Sequence, residues 1–249
     1  MIRLFQVWRE CVSGRTCPAA TLALAAVFCS AAAAQTGFPF SSETLNYTVN
    51  WPSGLSLGEA HLGATRSAGV KGQGDQWSFE LALDASVPGF AVADRYRATA
   101  SSDLCSLTFD KELAHGARKT HESITFDAHD GVAHRDTVGG GKSDIPISGC
   151  AHDALTFLYF SRKELGQGRV PQFEDVIFGA PYQVRLQYKG QEQVRVNNKP
   201  ADADRVEATF KGPASELTFE MFFARDPART PLVIRVPLSL GSFSLELAR

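Results

Sequence analysis

Histidines are concentrated in one stretch of the chain and are the first candidates for metal or acid–base chemistry. The stretch holds His115, His121, His129, His134 and His152. A zinc site needs three or four such ligands that converge at about 2 Å from the metal. The Asp130-Gly131 turn signal between His129 and His134 predicts that these two lie on neighbouring strands. We expect exposed histidines and no metal, with zinc held by His121, His129 or His134 as the alternative.

A glycine-rich stretch, Gly-Gly-Gly-Lys-Ser at 139–143, resembles the end of a phosphate-binding loop. The complete motif requires a glycine five residues before Gly141, where this chain has Asp136. It also requires a following helix whose first amides face the phosphate, whereas Asp144-Ile145-Pro146 is an extended sequence. We therefore predict a hairpin tip and no cofactor.

Carboxylates are the remaining candidates for catalysis. The pairs Glu43/Glu59 and Asp202/Asp204 could form an acid–base couple. Carboxylates on strands and loops are usually solvated surface groups, however. We predict no catalytic residues and no hydrolase serine elbow. A hydrolase or metal enzyme with a dispersed site is kept as an alternative.

The N-terminus has the parts of a secretory signal peptide. These are the basic residues Arg3, Arg9 and Arg15, the apolar run 19–28, and the small residues 31–34. The apolar run is shorter than the roughly 20 residues of a membrane-spanning helix. We predict a signal peptide over 1–34, cleavage between Ala34 and Gln35, and a periplasmic or secreted protein. An uncleaved anchor and lipid attachment at Cys29 are alternatives.

Removal of the signal peptide would leave a chain of one domain, residues 35–249, with 22 basic and 26 acidic residues. No second apolar run is long enough to span a membrane. The charges are spread along the chain without a basic stripe, so nucleic acid is not expected as a partner.

Two cysteines, Cys105 and Cys150, would remain after cleavage. Two thiols in an oxidising compartment most simply form one disulfide, which here closes a loop of about 45 residues. The alternative is a pair of buried free thiols.

Alternation of apolar and polar residues predicts strands along most of the chain. It is clearest at 45–51, 77–83, 124–126, 182–188, 217–221, 233–236 and 243–247. Turn signals at short intervals, including Lys189-Gly190-Gln191 and Asn197-Asn198, predict hairpins and a meander.

One segment, His152–Leu165, has a different pattern and is predicted to be a helix. Asp153 is a capping residue, Arg162 lies in the last turn, and Gly166 or Gly168 can end the helix. Because it is apolar on several faces, the helix is expected to be buried on several faces. A buried strand at 155–160 is the alternative. The predicted fold is mainly β: a curved antiparallel meander sheet, or open half-barrel, that encloses one helix.

Aromatic residues could line a cavity beside this helix, although they could equally fill a core. The candidates are Trp51, Trp77, Phe90, Tyr96, Phe157, Tyr159, Phe160 and Phe178. As ligand-binding residues we predict Trp51, Trp77, Leu155, Phe157, Leu158, Tyr159 and Phe160.

Several short stretches together resemble the DUF3108 family of exported bacterial proteins of unknown function. They are 45–51, 57–60, 116–119, 125–127, 153–159 with Arg162, 225–226, 230–232 and 241–243. The resemblance implies a β-rich envelope protein, and the family provides no catalytic residues that could be assigned to this chain.

The leading hypothesis is therefore a non-catalytic periplasmic or envelope protein that binds a hydrophobic small molecule or lipid in the concave face of its sheet. The alternative is a structural or protein-interaction module of the cell envelope, with an envelope protein as its partner.

Overall fold

Fifteen strands and one helix make up the part of the chain that the computed structural model describes, residues 38–69, 74–87, 89–238 and 241–248. The predicted signal peptide lies outside these residues, so it and its cleavage site stay predictions. The strands are β1 (Ser42–Asn50), β2 (Ser56–Ser67), β3 (Gln76–Val87), β4 (Phe90–Ser101), β5 (Ser106–His115), β6 (Arg118–Asp127), β7 (Val132–Thr137), β8 (Gly141–Pro146), β9 (His152–Asp153), β10 (Glu174–Ile177), β11 (Pro181–Val196), β12 (Lys199–Lys211), β13 (Glu216–Ala224), β14 (Pro231–Leu238) and β15 (Gly241–Ala248).

All fifteen strands belong to one sheet in the order β8-β7-β6-β5-β4-β3-β2-β1-β15-β14-β13-β12-β11-β10-β9. Neighbours pair antiparallel except β9 and β10, which are parallel. The first and last strands, β1 and β15, pair with each other in the middle of the sheet. The predicted mainly β, curved and open antiparallel sheet is confirmed.

The helix α1 spans Ala154–Gly166 and begins at the predicted cap, Asp153. The alternative of a strand at 155–160 is wrong. The helix ends at the Gln167 cap, and Gly168 follows with a φ of 75°. Among the described residues, no helix combines the length and apolarity needed to cross a membrane.

The helix packs against both halves of the curved sheet. Leu155 and Tyr159 belong to a core cluster built mainly on β1–β8, and Phe157 and Leu165 belong to a second cluster on β10–β13. One short helix therefore lies on the concave side and joins the two halves, as its several apolar faces predicted.

The turn predicted at Lys189-Gly190-Gln191 is wrong, because β11 continues through it. The pairing of β11 with β12 shifts register between Tyr188 and Gly190, and Gly190 has a φ of 112°. Glycine here permits a β-bulge, which bends a strand without ending it. The hairpin turn lies later, at Asn197-Asn198, where both residues have positive φ, as a tight hairpin turn requires.

A third, smaller core cluster lies on the face of the sheet away from the helix. In β13, Met221 and Phe223 pack in the helix-side cluster, so Phe222 between them points to the opposite face. There it is buried with Val194 and Val196, which follow the bulge in β11. The outer part of the β11–β12 hairpin thus covers β13 and β14 from outside.

Candidate functional site

The start of α1 is fixed by a buried group of polar side chains around Asp153. One carboxylate oxygen of Asp153 accepts hydrogen bonds from the amides of Leu155 and Thr156 at 2.8 and 3.0 Å. The other oxygen accepts from the hydroxyls of Ser106 and Thr156, both at 2.6 Å. Burial raises the pKa of the Asp153 carboxyl, and these donors oppose the rise. The helix is thereby capped and attached to β5.

The predicted disulfide is confirmed and attaches the same end of the helix to the sheet. Cys105 and Cys150 are bonded, with their Cα atoms 4.8 Å apart. The Ser106 amide also donates to the Ala151 carbonyl at 2.9 Å. Cys105 lies immediately before β5.

The other end of α1 is fixed by Arg162, which is fully buried. Its two terminal nitrogens donate to the two carboxylate oxygens of Glu43 at 2.7 and 2.8 Å. Its Nε donates to the carbonyls of Ala228 and Arg229 at 3.1 and 3.2 Å. The expectation that Glu43 is a solvated carboxylate is wrong, because its side chain is 11% exposed and paired.

Between α1 and the concave face lies a largely apolar cavity of about 330 Å³, the α1 cavity. The helix contributes Leu155, Phe157, Leu158 and Ser161 to its wall, and β3–β5 contribute residues that include Leu81, Leu83, Tyr96 and Phe109. The opposite wall is formed by Phe210, Phe219, Met221, Ile234, Val236 and Leu245. Both halves of the sheet therefore face each other across the space.

Polar groups in the α1 cavity are few. The Asp94 carboxylate pairs with His115 Nε2 at 2.9 Å and accepts from the Tyr96 hydroxyl at 3.4 Å. Burial, and then the neighbouring Asp94, raise the pKa of Tyr96, so its phenol stays protonated. Ser161 also lines the cavity, but its Oγ is almost fully buried beneath the surface.

The turn between β10 and β11 closes one side of the α1 cavity. The Phe178 ring lies 5.8 Å from the Phe109 ring, and Lys111 Nζ lies 4.6 Å from the Phe178 centroid. A Cβ at Gly179 would come within 2.8 Å of Glu122 Oε1, and the φ there is 75°. Only glycine allows the turn to approach β6 this closely.

Glu122 beneath this turn carries a charge that is compensated on two sides. Burial favours its neutral form, but Lys111 at 3.0 Å and Arg135 at 2.6 Å outweigh burial and lower the pKa of the carboxyl. The turn between β10 and β11 therefore packs against Glu122 of β6, which is ion-paired with residues of β5 and β7.

Two larger depressions elsewhere on the described part of the protein are lined by several charged side chains. One of about 460 Å³ lies over β4–β6 and is lined by side chains that include Arg95, Glu112, Lys119 and His121. Another, of about 550 Å³, includes Glu174 and Asp175. Specific ligand sites are typically apolar with a few placed polar groups, which favours the smaller α1 cavity.

Three of the predicted ligand-binding residues, Leu155, Phe157 and Leu158, line the α1 cavity. Trp77 and Tyr159 instead pack on either side of Phe79, with ring separations of 5.9 and 4.2 Å. Their rings belong to the core cluster on β1–β8.

Trp51 and Phe160 also pack against other residues. The ring centroids of Trp51 and Phe243 are 4.7 Å apart, and those of Phe160 and His152 are 4.5 Å apart. The inward residues of β12–β15 were not predicted as site residues. Their alternation was visible in sequence, but alternation does not show which strands face the helix.

Each of four histidines in the predicted stretch has a carboxylate partner of its own. His115, His121, His129 and His134 pair with Asp94, Asp110, Asp130 and Asp144, respectively. The expectation that His152 is exposed is wrong, because it is 3% exposed and burial lowers its pKa to about 4.

Two clusters on the surface bring a histidine near two carboxylates, Asp110/Glu112/His121 and Asp127/His129/Asp130. All but Asp110 and Asp127 are exposed, and those two are only partly buried. Exposed acidic groups of this kind are common on protein surfaces, and neither cluster brings His121, His129 and His134 together.

The pentapeptide Gly54-Leu55-Ser56-Leu57-Gly58 matches the G-x-S-x-G pattern of a serine hydrolase elbow. A hydrolase elbow places its serine between a strand and a helix. Here the pentapeptide leads from the β1–β2 turn into β2, so Ser56 begins an antiparallel strand. The pattern does not form an elbow.

The fold defines a mainly β protein with an open, curved sheet around one helix, and comparison with solved structures agrees. The crystal structure of a beta-barrel-like protein of domain of unknown function DUF1849 from Brucella abortus superimposes with a TM-score of 0.55 and 8% sequence identity. The match covers 84% of this chain and 97% of that one. At this identity the likeness concerns the fold alone.

The profile of DUF3108, a family described as protein of unknown function, matches residues 46–248, so the chain belongs to the DUF3108 family. The resemblance found in the sequence is thereby confirmed. No curated protein matches the chain.

Proposed function

We propose that this protein is a non-catalytic, exported protein of the cell envelope that binds one hydrophobic molecule or lipid chain in the α1 cavity. The single observation that carries the proposal is the cavity itself, about 330 Å³ between α1 and both halves of the sheet. A space of this size with an apolar wall is typical of a small-molecule site.

The attachment of α1 at both ends supports a preformed site. Asp153 and the disulfide attach the start of the helix to β5, and Arg162 attaches its end to β1 through Glu43. With both ends attached, the helix is not free to collapse onto the sheet and fill the space. A preformed site lowers the ordering cost of binding.

The arrangement of titratable groups supports a non-catalytic role. Four histidines pair with four different carboxylates, and among the described residues none of the four hydrogen-bonds to a serine, threonine or cysteine side chain, as a histidine that activates a nucleophile would. The disulfide supports export, because disulfides persist in oxidising compartments.

The test is binding of the neutral fluorescent probe N-phenyl-1-naphthylamine to protein produced from the full chain. The wild type is expected to bind it with a fluorescence increase. Leu158→Trp, which adds bulk inside the α1 cavity, is expected to lower the affinity by about tenfold or more. Leu55→Trp is the matched control, because Leu55 is 65% exposed in the β1–β2 turn.

Failure of the wild type to bind the probe, together with no lipid in organic extracts of the purified protein by mass spectrometry, would contradict the proposal. That result would favour the structural or interaction module, and pull-down from envelope membranes would then identify its partner.

A further inference from the structure

The turns of the sheet fall at two ends, because consecutive strands run antiparallel. Both ends of α1 are attached at the end where β1 and β5 begin, through Glu43 and Ser106. The α1 cavity lies nearer the opposite end, since Phe178 is in the β10–β11 turn, and Phe210 and Val236 lie within two residues of the ends of β12 and β14. This opposite end, the cavity end, has the described turns 51–55, 116–117, 138–140, 178–180 and 212–215.

Exposed apolar side chains are concentrated at the cavity end. Of the five large apolar side chains that are exposed in the described residues, three lie there. Leu55 is in the β1–β2 turn and is 65% exposed, Phe90 begins β4, and Val138 begins the β7–β8 turn and is 73% exposed. Single exposed apolar residues are normal on a protein surface, but a group of them at one site indicates an interaction surface.

Basic side chains lie beside these apolar ones. Arg118 and Lys119 follow the β5–β6 turn and are exposed. Neither takes part in an ion pair within the described part of the chain. The Phe90 ring lies against the same turn, because a Cβ added at Gly116 would come within 3.3 Å of it.

The charge balance of the cavity end favours an anionic partner. The described turns and the last two strand residues on either side of each carry four basic and two acidic side chains. These are Arg118, Lys119, Lys142, Lys211, Asp136 and Glu216. Asp136 is paired with Lys142 at 3.0 Å, so the free positive charge is carried mainly by the others. Lysines and arginines at such a surface are attracted to anionic lipid headgroups.

A fluid lipid surface fits this arrangement better than a folded partner does. Stable protein interfaces bury about 800 Å² on each partner in a closely packed patch, whereas Leu55, Phe90 and Val138 stand on three separate hairpins. Separate apolar side chains can each enter the boundary between headgroups and acyl chains while neighbouring basic groups stay at the headgroups. Half-buried Trp51 is in the same turn as Leu55, and aromatic residues favour this boundary.

We propose that the cavity end docks on the surface of an anionic lipid bilayer. Leu55, Phe90 and Val138 insert between the lipid headgroups, and Arg118 and Lys119 bind their phosphate groups. The inference goes beyond the proposed function, because it names a partner and does not require a molecule in the α1 cavity. Docking in this orientation places the α1 cavity on the membrane side of the protein.

The experiment is flotation of the purified protein, produced from the full chain, with two kinds of vesicle. One kind is phosphatidylcholine alone, and in the other about one third of the lipid is phosphatidylglycerol. The wild type is expected to bind the anionic vesicles at least about tenfold more tightly than the neutral ones. Binding to the anionic vesicles should weaken as sodium chloride is added, because salt screens exposed charges.

Two double variants test the cavity end. Arg118→Gln/Lys119→Gln removes two positive charges and should weaken binding to the anionic vesicles by at least about tenfold. Leu55→Ser/Val138→Ser removes two exposed apolar side chains and should weaken it by about tenfold. All four residues are exposed, so urea unfolding should show little change in stability.

The matched controls lie at the other end of the sheet. Arg195→Gln/Lys199→Gln removes two exposed basic residues on either side of the β11–β12 turn. Phe173→Ser removes an apolar side chain that is 62% exposed before β10. Both controls should bind the anionic vesicles as the wild type does.

The outcomes decide between partners. No binding to vesicles, equal binding to the two kinds, or equal losses in the controls and the test variants would overturn the proposal. Self-association of the wild type that Leu55→Ser/Val138→Ser abolishes, without vesicle binding, would overturn it in favour of a second copy of this chain. Binding of N-phenyl-1-naphthylamine is measured separately, so the α1 cavity proposal is tested independently.

Discussion

At the scale of single residues, the side chains with the largest structural effects are buried charged or titratable groups on either side of α1. Arg162 is 0% exposed and makes four hydrogen bonds, two to Glu43 and two to backbone carbonyls. Its guanidinium also lies 4.8 Å from the centroid of the Tyr159 ring. Each of its three nitrogens donates at least one hydrogen bond, which offsets part of the cost of burying its charge.

Arg162→Met should lower the free energy of unfolding by about 3–5 kcal/mol, because it leaves the Glu43 carboxylate without its partner in a largely buried position. Urea unfolding at pH 7 measures the change. Arg169→Met is the matched control: it breaks the bidentate pair with Glu164, in which the arginine side chain is 58% exposed. The control substitution should lower the free energy of unfolding by at most about 1 kcal/mol. Equal decreases in the two variants would contradict the importance of the buried Arg162–Glu43 pair.

His152 gives the protein a dependence of stability on pH. Burial holds its pKa near 4, below the usual 6.5, so the unfolded chain binds a proton at a higher pH than the folded chain does. Stability is therefore lost as the pH falls from about 6.5 towards 4. Neighbouring Asp153 acts in the opposite sense, because its raised pKa favours the folded state as the pH falls.

Comparison of the wild type with a His152 variant isolates the contribution of this histidine to the pH dependence of stability. Between pH 7 and pH 4, the wild type should lose about 3 kcal/mol more unfolding free energy than His152→Leu. Urea titrations of both proteins at several pH values measure this. Parallel pH curves for the two proteins would show that His152 does not titrate differently on folding.

At the scale of elements, α1 depends on covalent and polar attachments at its start. The helix has 13 residues and no acidic residue in its first turn, and isolated helices of about this length are only marginally stable in water. Its position is set by Asp153, by the disulfide and by packing on both halves of the sheet.

The double variant Cys105→Ser/Cys150→Ser should be less stable than the wild type by about 4 kcal/mol, since the bond closes a loop with a sequence separation of 45. Urea unfolding without reductant measures the loss. Reductant should bring the wild type to the level of the variant and leave the variant unchanged. A variant as stable as the oxidised wild type would contradict the prediction.

At the scale of the whole molecule, the curvature of the sheet brings distant strands around one helix. The chain leaves β8 at one edge of the sheet at Pro146 and enters β9 at the other edge at His152. Only residues 147–151 connect the two edges, and the disulfide attaches this connection to the start of β5. The sheet is open, yet its two edges approach closely enough to surround the α1 cavity.

Export is the prediction that concerns the whole chain. When the full chain is expressed in a bacterium, the protein should appear in the periplasmic or secreted fraction with Gln35 as its first residue, as measured by fractionation and intact mass. Ala32→Lys places a large charge at the small-residue position of the predicted cleavage site, and it should prevent processing. A wild-type protein that keeps residues 1–34 would support the uncleaved anchor.

The fold class, the helix with its Asp153 cap, the disulfide and the family could all be predicted from the sequence. These depend on local periodicity, on capping chemistry and on a count of cysteines, which are all visible along the chain. Three of the seven predicted ligand-binding residues, Leu155, Phe157 and Leu158, line the α1 cavity because they project from the predicted helix.

The contacts between residues distant in sequence could not be predicted in this way. Trp77 and Tyr159 are as apolar as the residues that line the α1 cavity, but the curvature of the sheet stacks them on Phe79. Glu43 and Arg162 are 119 residues apart in sequence, and neither has a local signal of burial. Periodicity assigns a side chain to one face of its own element, whereas the distance between faces depends on the twist and closure of the whole sheet.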